Sequence, residues 1–478
     1  MAETENVEHR YRACRASLAP RGQEHALRWW PELASDERKQ LLEDIESIPW
    51  GILDGIIESH VVCRPGTTAP EDLAPAPVYP RTPGPERAAE YRAATEQGRH
   101  LLATGKVAAF TVAGGQGTRL GVDGPKGAVI VTPVGNKTLF QLFAETVLAA
   151  RRKYGAAIPW YIMTSPANHE ETVEFLSAHD FFGLPKEDVI LFPQGMLPAF
   201  DPSGRLLLAA RHRLALAPDG HGGSLKALVT GGALRDMRSR GIEFISYFQV
   251  DNPLVKPFDP LLVGLHAQTG SEMSTKVTPK ADDLERVGNV CLSGGKVTVI
   301  EYSDFPNELA HAKNADGSRT FDAGNLAIHM LNVDFVDRIV GDSFQMPLRR
   351  ADKAVAYVDE SGAVQTPASP NAVKLEAFIF DALPLAQNPL VLEVDRAEEF
   401  SPVKNATGVD SLESSQRDQV ARACRWLESA GVAVPRRPDG RPDVTVVISP
   451  TFALDADDVR RQADRLPALN PGDAVCIE

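Results

Sequence analysis

Cysteine is sparse in this chain. Five residues, Cys14, Cys63, Cys291, Cys424 and Cys476, are scattered over 478 positions with no CxxC pair. That pattern argues against a disulfide framework or a zinc site and points to a reducing compartment. No apolar run approaches the roughly 20 residues that a membrane helix needs. The opening MAETENVEHRYRAC holds no signal-peptide core. A basic excess is missing too: 50 Lys and Arg stand against 64 Asp and Glu, for a formal net charge of −14. Nucleic-acid binding calls for a basic stripe instead. These absences predict a soluble cytoplasmic protein with neither nucleic acid nor membrane among its partners. An acidic chain still handles phosphates where a few Lys and Arg converge locally.

The chain is too long for one simple core, so two or three domains are expected. Residues 1 to about 60 read as helical, because Leu27, Trp30, Leu33, Leu41, Leu42, Ile45 and Ile48 recur at spacings near three and four. From Arg64 to Glu86 proline is dense, which ends any helix and predicts an extended connector. A second helix is predicted from about Ala88 to Thr104. Apolar runs then alternate with helical patterns: VAAFTVAGG, PWYIMTS, DVILFPQG, IEFISYFQVD and NVCLSGGKVTVIEYSD read as strands, TLFQLFAETVLAARRKYG and NHEETVEFLSAHDFFG as helices. Such alternation predicts an α/β fold with a mostly parallel mixed sheet and helices on both faces. Ligands in such sheets sit beyond the carboxyl ends of the strands. Composition shifts again after about Asn405. The expected division is a helical region with its connector at 1–100, a central domain at 101–404 and a small C-terminal domain at 405–478.

The strand beginning near Val107 delivers Ala113-Gly114-Gly115-Gln116-Gly117-Thr118-Arg119-Leu120-Gly121. Clustered glycines after a strand let backbone N–H groups approach a phosphate or a base. Two sharper motifs fail on spacing. A Walker loop ends in Gly-Lys-Ser/Thr, where this loop has Gly-Thr-Arg. A dinucleotide fingerprint through Gly115 and Gly117 would need its third glycine at Leu120. The distinguishing feature is a cationic pair: Arg119, a planar fork suited to phosphate oxygens, and Lys126 between Pro125 and Gly127. Together on such a loop they favour phosphate binding over a plain turn.

The segment AGGQGTRLGVDGPKG resembles the nucleotide-binding loop of the UDP-sugar pyrophosphorylases, most of all the eukaryotic-type UDP-N-acetylglucosamine pyrophosphorylases. The likeness continues in order through WYIMTS, FPQGMLPAFD, LAPDGHGGSLKAL, FQVDNPLVK, VIEYSD, FDAGNLAIH, VKLEAFIFD and EFSPVKNA, across roughly residues 100 to 410. It implies a Rossmann-like nucleotidyltransferase (GT-A-like) central domain. It also implies that Val112, Ala113, Gly114 and Gly115 cradle the uridine while Arg119 and Lys126 hold the triphosphate. Gln194 would read the uracil edge, for which an amide presents a donor and an acceptor side by side. Gly220 would lie close to the nucleotide and sugar. Asp251 would bind either Mg²⁺ or the nucleotide directly, since Mg²⁺ takes one or two carboxylates plus substrate oxygens. Gly288, Glu301 and Asn325 match sugar-binding positions, and Lys374 and Lys404 match lysines that reach the phosphates. His221 departs from the family's usual asparagine, so a sugar contact that titrates near pH 6 to 7 is expected there, about where an unperturbed imidazole does.

The function so implied is transfer of a uridylyl group from UTP to an N-acetylhexosamine 1-phosphate, giving UDP-N-acetylhexosamine and pyrophosphate with Mg²⁺ as cofactor. Arg119, Lys126 and Lys404 are the expected catalytic cations. The rival readings are a broader UDP-sugar or UDP-glucose pyrophosphorylase, and a non-catalytic nucleotide-sugar sensor. Retention of all three cations argues against the sensor.

Overall fold

The apolar run Val107–Val112 is almost wholly buried and lies in the middle of a ten-stranded sheet. This computed structural model describes residues 2–64, 70, 72–341 and 346–478, with backbone alone for residues 2–5. Residues 65–69 and 71 of the proline-rich connector lie outside the described residues. In chain order the strands of the large sheet are β1 (Ala74–Pro75), β2 (Val107–Val112), β3 (Trp160–Thr164), β4 (Val189–Pro193) and β5 (Phe244–Gln249). They continue with β6 (Met273–Pro279), β7 (Asn289–Ser293), β8 (Lys296–Ile300), β9 (Ala323–Asn332) and β10 (Leu390–Glu393). The main path runs β1-β7-β9-β5-β2-β3-β4, with β6 paired to β9 and β10, and β8 paired to β7. From β5 through β2 and β3 to β4 every pairing is parallel. β9 enters antiparallel to β5, so the α/β class with a mixed sheet is as expected.

The parallel strands read as continuous apolar runs because both faces are covered. Trp160, Tyr161, Phe110 and Tyr247 are fully buried, each worth roughly 1.5–3 kcal/mol relative to exposure. Trp160 also satisfies its indole N–H on Thr111 Oγ1 at 2.8 Å. The helix Leu139–Tyr154 starts at Thr138, whose side chain accepts from the Gln141 N–H, and stops at Gly155 in the left-handed region. Arg151, Arg152 and Lys153 occupy its last turn, where cations suit the helix dipole. The helices Ala88–Ala103 and Pro260–Gln268 touch through two glycines. A Cβ on Gly98 would lie 1.9 Å from the Pro260 carbonyl oxygen, and one on Gly264 1.7 Å from that of Ala94.

The chain divides into two units, each built from separated stretches of sequence. One holds residues 1–68, 194–226 and 340–381; the other holds 69–193, 227–339 and 382–478. The composition shifts near residues 100 and 404 therefore do not coincide with the edges of these units. The first unit carries the N-terminal helices and short antiparallel pairs such as Met196–Pro198 with Leu216–Pro218 and Arg349–Lys353 with Ala372–Glu376. The second carries the large sheet and, after residue 405, a satellite core of Trp426, Leu427, Val446, Ile448 and neighbours. Within the proline-rich connector Ala74 and Pro75 add an edge strand to β7, a place where proline's missing N–H costs no ladder bond. Among the described residues no helix is long and apolar enough to cross a membrane.

Candidate active site

The glycine-rich loop leaves the carboxyl end of β2 as the spacing predicts. Its shape is set by Asn168, a residue the sequence reading passed over. Asn168 is almost completely buried. Its Nδ2 donates to the carbonyls of Ala113 at 3.0 Å and Gly115 at 3.2 Å. Its Oδ1 accepts from the N–H and the hydroxyl of Ser165 just past β3. Gly115 also accepts from the Lys126 N–H at 3.1 Å, and the Gly117 N–H donates to Gly124 at 2.8 Å. With the carbonyls engaged, the N–H groups of Gly114, Gly115 and Gln116 donate to nothing among the described residues. A run of outward N–H groups after a strand is an anion or base cradle. Arg119 and Lys126 flank it, and neither forms an ion pair among the described residues. The sequence signal for Asn168 was an amide four residues past a strand terminus, a placement whose partners are visible only in three dimensions.

β2 and β5 pair in parallel, with Val112 opposite Gln249 and the Val250 N–H donating to Val112 at 3.1 Å. Asp251 therefore sits beside the root of the loop. It is buried, and its carboxylate accepts no hydrogen bond among the described residues. Its carbonyl accepts from the Val403 N–H at 2.8 Å, which brings Lys404 to this edge of the sheet. Asn252 locks the same run, donating to the Glu399 carbonyl at 2.7 Å and accepting from the Ser401 N–H at 3.1 Å. Lys404 Nζ stands 4.0 Å from Asp410, a residue not anticipated from sequence. Burial pushes the Asp410 carboxyl up, with Lys404 opposing and Asp251 reinforcing the shift. Asp251 and Asp410 thus act on one another. Among the described residues no three His, Cys, Asp or Glu side chains converge as a metal site. A hard cation here would rest on one or two carboxylates and on oxygens of a substrate, the arrangement Mg²⁺ favours.

The three expected sugar contacts are brought together in the same unit. The Asn325 N–H donates to Gly288 at 2.9 Å. A Cβ on Gly288 would lie 3.5 Å from Glu301 Oε1. Asn325 Oδ1 accepts from Thr275 Oγ1 at 3.3 Å and from the Ala327 N–H at 3.1 Å, which fixes the carboxamide. Because β9 runs antiparallel to β5, the N-terminal part of β9 with Asn325 lies toward the end of β5 that carries Asp251.

Gln194, Gly220, His221 and Lys374 belong to the other unit, where they form a second group. Gln194 is buried. The Asp219 N–H donates to Gly195 at 3.2 Å, and the Ala377 N–H donates to Asp219 at 2.8 Å. The Gly222 N–H returns to Ala377 at 2.8 Å. Lys374 lies on the strand that leads into Ala377 and makes no ion pair among the described residues. His221 is held by the segment that follows Lys374. Its ring stacks on Phe378 at 5.1 Å and 2°, with Phe380 at 5.8 Å, and its Nδ1 accepts from the Ile379 N–H at 3.1 Å. Burial, helped by Arg349, lowers its pKa to about 4. Burial thus favours the neutral imidazole and moves its titration below the expected pH 6 to 7.

The sheet order, the loop at the end of β2 and the groups gathered beside it are those of a nucleotidyltransferase fold. The family described as UTP–glucose-1-phosphate uridylyltransferase matches residues 80–423, and the chain belongs to it. The UDP-N-acetylhexosamine pyrophosphorylase-like protein 1 of Xenopus tropicalis is 37% identical over 442 residues, covering 89% of this chain and 86% of its own. The UDP-N-acetylglucosamine pyrophosphorylase of Saccharomyces cerevisiae is 39% identical over 349 residues, 70% of this chain and 73% of that one. The crystal structure of the Trypanosoma brucei uridine diphosphate N-acetylglucosamine pyrophosphorylase in complex with inhibitor shares the fold. It has a TM-score of 0.81 at 23% identity and covers 98% of each chain.

Proposed function

We propose that this protein is a uridylyltransferase that forms UDP-N-acetylhexosamine, with N-acetylglucosamine as the sugar, and pyrophosphate from UTP and the sugar 1-phosphate. The observation that carries the reading is the N–H cradle of Gly114, Gly115 and Gln116 beside the cations Arg119 and Lys126, none of them paired among the described residues. The names of the relatives support the choice of sugar. A phosphate monoester has its second pKa near 6, so the attacking oxygen is largely ionised at neutral pH and needs no general base. That oxygen forms a bond to the α-phosphorus of UTP as the bond to the β-phosphate oxygen breaks, and pyrophosphate leaves with the electron pair. Catalysis is then positioning plus charge stabilisation. Arg119 and Lys126 hold the leaving phosphates, Lys404 neutralises the reacting one, and Lys374 and Gln194 serve the nucleotide. Gly288, Glu301 and Asn325 serve the sugar. Asp251, joined by Asp410, is the residue to hold Mg²⁺, and the ion when bound supplies further neutralisation of phosphate charge. The five free thiols suit a cytoplasmic setting.

The family's own description names glucose 1-phosphate, so UDP-glucose formation is the second reading. Pyrophosphate release should be at least about tenfold faster in kcat/KM with N-acetylglucosamine 1-phosphate than with glucose 1-phosphate, because a site built to bond an acetamido group rejects a substrate lacking it. It should stop in excess EDTA and return with Mg²⁺. Preference for glucose 1-phosphate would replace the first reading with the second. No release with either sugar would remove both.

A further inference from the structure

We propose that Asp219 is a positioning residue, a wedge that fixes the distance between the uracil-reading Gln194 and the turn Gly220–Gly223. The proposal rests on the assignment of Gln194 to the base. Three observations within one unit carry it. Asp219 is only 7% exposed, yet its Oδ1 has no hydrogen-bond partner among the described residues. Its carboxylate is pressed between two glycines: a Cβ on Gly195 would lie 2.4 Å from Oδ2, and one on Gly223 2.0 Å from Oδ1. Its backbone is pinned on both sides, the N–H to Gly195 and the carbonyl by Ala377.

A buried polar atom without a partner costs free energy. Here no hydrogen bond from another described residue holds the carboxylate, and the fit between Gly195 and Gly223 does. Gly195 is covalently next to Gln194, and Gly223 opens the helix Gly223–Thr230. The side chain therefore spaces the corner that aims the amide from the turn that lies beside it. Gly220, at φ +85°, is pressed against the Ala377 carbonyl, where a Cβ would come to 2.3 Å, so the turn has no slack of its own. Burial also pushes the Asp219 carboxyl up to about 7, with Lys226 pulling the other way, as expected of a side chain kept for its shape rather than its charge.

The wedge would act on UTP binding and not on the chemical step. Kinetics of the full chain, with UTP and the sugar 1-phosphate varied separately, should therefore split KM from kcat. In Asp219→Ala the KM for UTP rises about tenfold while kcat and the KM for the sugar phosphate stay within about twofold. Asp219→Asn, with the same shape, stays within about twofold of the parent in all three. Gly195→Ala drives a methyl into the carboxylate and reproduces the raised KM for UTP with Asp219 in place. The double variant Gly195→Ala with Asp219→Ala is less impaired than the two single effects multiplied, because the lost carboxylate makes room for the methyl. An unchanged KM for UTP in Gly195→Ala overturns the wedge, and so does an Asp219→Asn enzyme whose KM for UTP is raised as far as that of Asp219→Ala. If Asp219→Ala does not fold, as a thermal melt would show, Gly195→Ala and Asp219→Asn still decide the matter. Gln194→Ala is measured alongside. A raised KM there with a normal one in Gly195→Ala rejects the wedge alone. A normal KM in Gln194→Ala rejects the uracil assignment and the wedge with it.

Discussion

Asp219 and His221 are neighbours in a glycine-rich turn that respond to burial in opposite chemical directions. Removing water disfavours the charged form of each, so the carboxyl is pushed up to about 7 and the imidazole down to about 4. Both are therefore predominantly neutral near pH 6. The consequence for stability has a definite sign at Asp219. Below about pH 4 the carboxyl is protonated in both the folded and the unfolded chain. From there to about pH 7 the unfolded chain has released the proton while the folded chain keeps it. The folded state then binds more protons, and stability falls as pH rises. Above that window both states are ionised and the full cost is present, on the order of a few kcal/mol. Asp219→Asn removes the titration and keeps the shape. Urea unfolding of parent and variant at a series of pH values should show a stability gap that grows in the variant's favour from pH 4.5 to pH 7 and then levels, about the window set by the two carboxyl values. Parallel profiles would show that the carboxyl ionises in the folded protein as freely as in water.

At the scale of elements, the strands were legible because a parallel sheet buried on both faces writes itself as unbroken apolar runs, as VAAFTV and WYIMT do. The glycine loop was legible because it follows such a run. Asn168, Asp410 and Asp219 were not, because each is a common polar residue whose contacts are set only once the chain has folded. The support beneath Lys404 is of the same kind. Lys276 on β6 is fully buried, with Nζ 2.8 Å from Asp259 and 2.6 Å from Glu399. Glu399 in turn offers its carbonyl to Asn252. The triad thus clamps the run that carries Lys404 onto the end of β5. Removing the lysine would leave the buried Glu399 and the half-buried Asp259 without this cation, at a cost of about 3–5 kcal/mol. Lys276→Met should lower the urea midpoint accordingly. If Lys404 neutralises the reacting phosphate as proposed, the variant should also reduce kcat more than it raises the KM for UTP. A midpoint within experimental error of the parent would mean that the triad is relieved by solvent and supports nothing.

For the whole molecule, the question is whether the first hundred residues form an appendage or part of a core. Their helical character was plain from the spacing of Leu27, Trp30, Leu41, Leu42 and Ile45, but a composition shift near residue 100 cannot show where those side chains are buried. The structure divides the segment. Residues up to 64 belong to the unit that also holds 194–226 and 340–381. There Asp44 is buried and accepts from Arg213 at 2.8 Å and from the Leu214 N–H at 2.9 Å. Gln23 donates to Gly204 at 2.8 Å and accepts from the Leu206 N–H at 2.9 Å. The helix Ala88–Ala103 belongs to the other unit and packs against Pro260–Gln268 through Gly98 and Gly264. A chain begun at residue 101 would strip a helix from one core and leave the Leu214 and Leu206 amides of the other without partners. Each such buried orphan costs about 1–3 kcal/mol, against a total stability of only about 5–15 kcal/mol. Residues 101–478 expressed alone should therefore aggregate or lose the cooperative melt of the full chain, and should bind UTP far more weakly if Gln194 and Gly220 serve the nucleotide as proposed, because both lie in the damaged unit. A soluble 101–478 fragment with the parent's melt and UTP affinity would show that the N-terminal segment is an appendage after all, and that the boundary drawn from composition is the physical one.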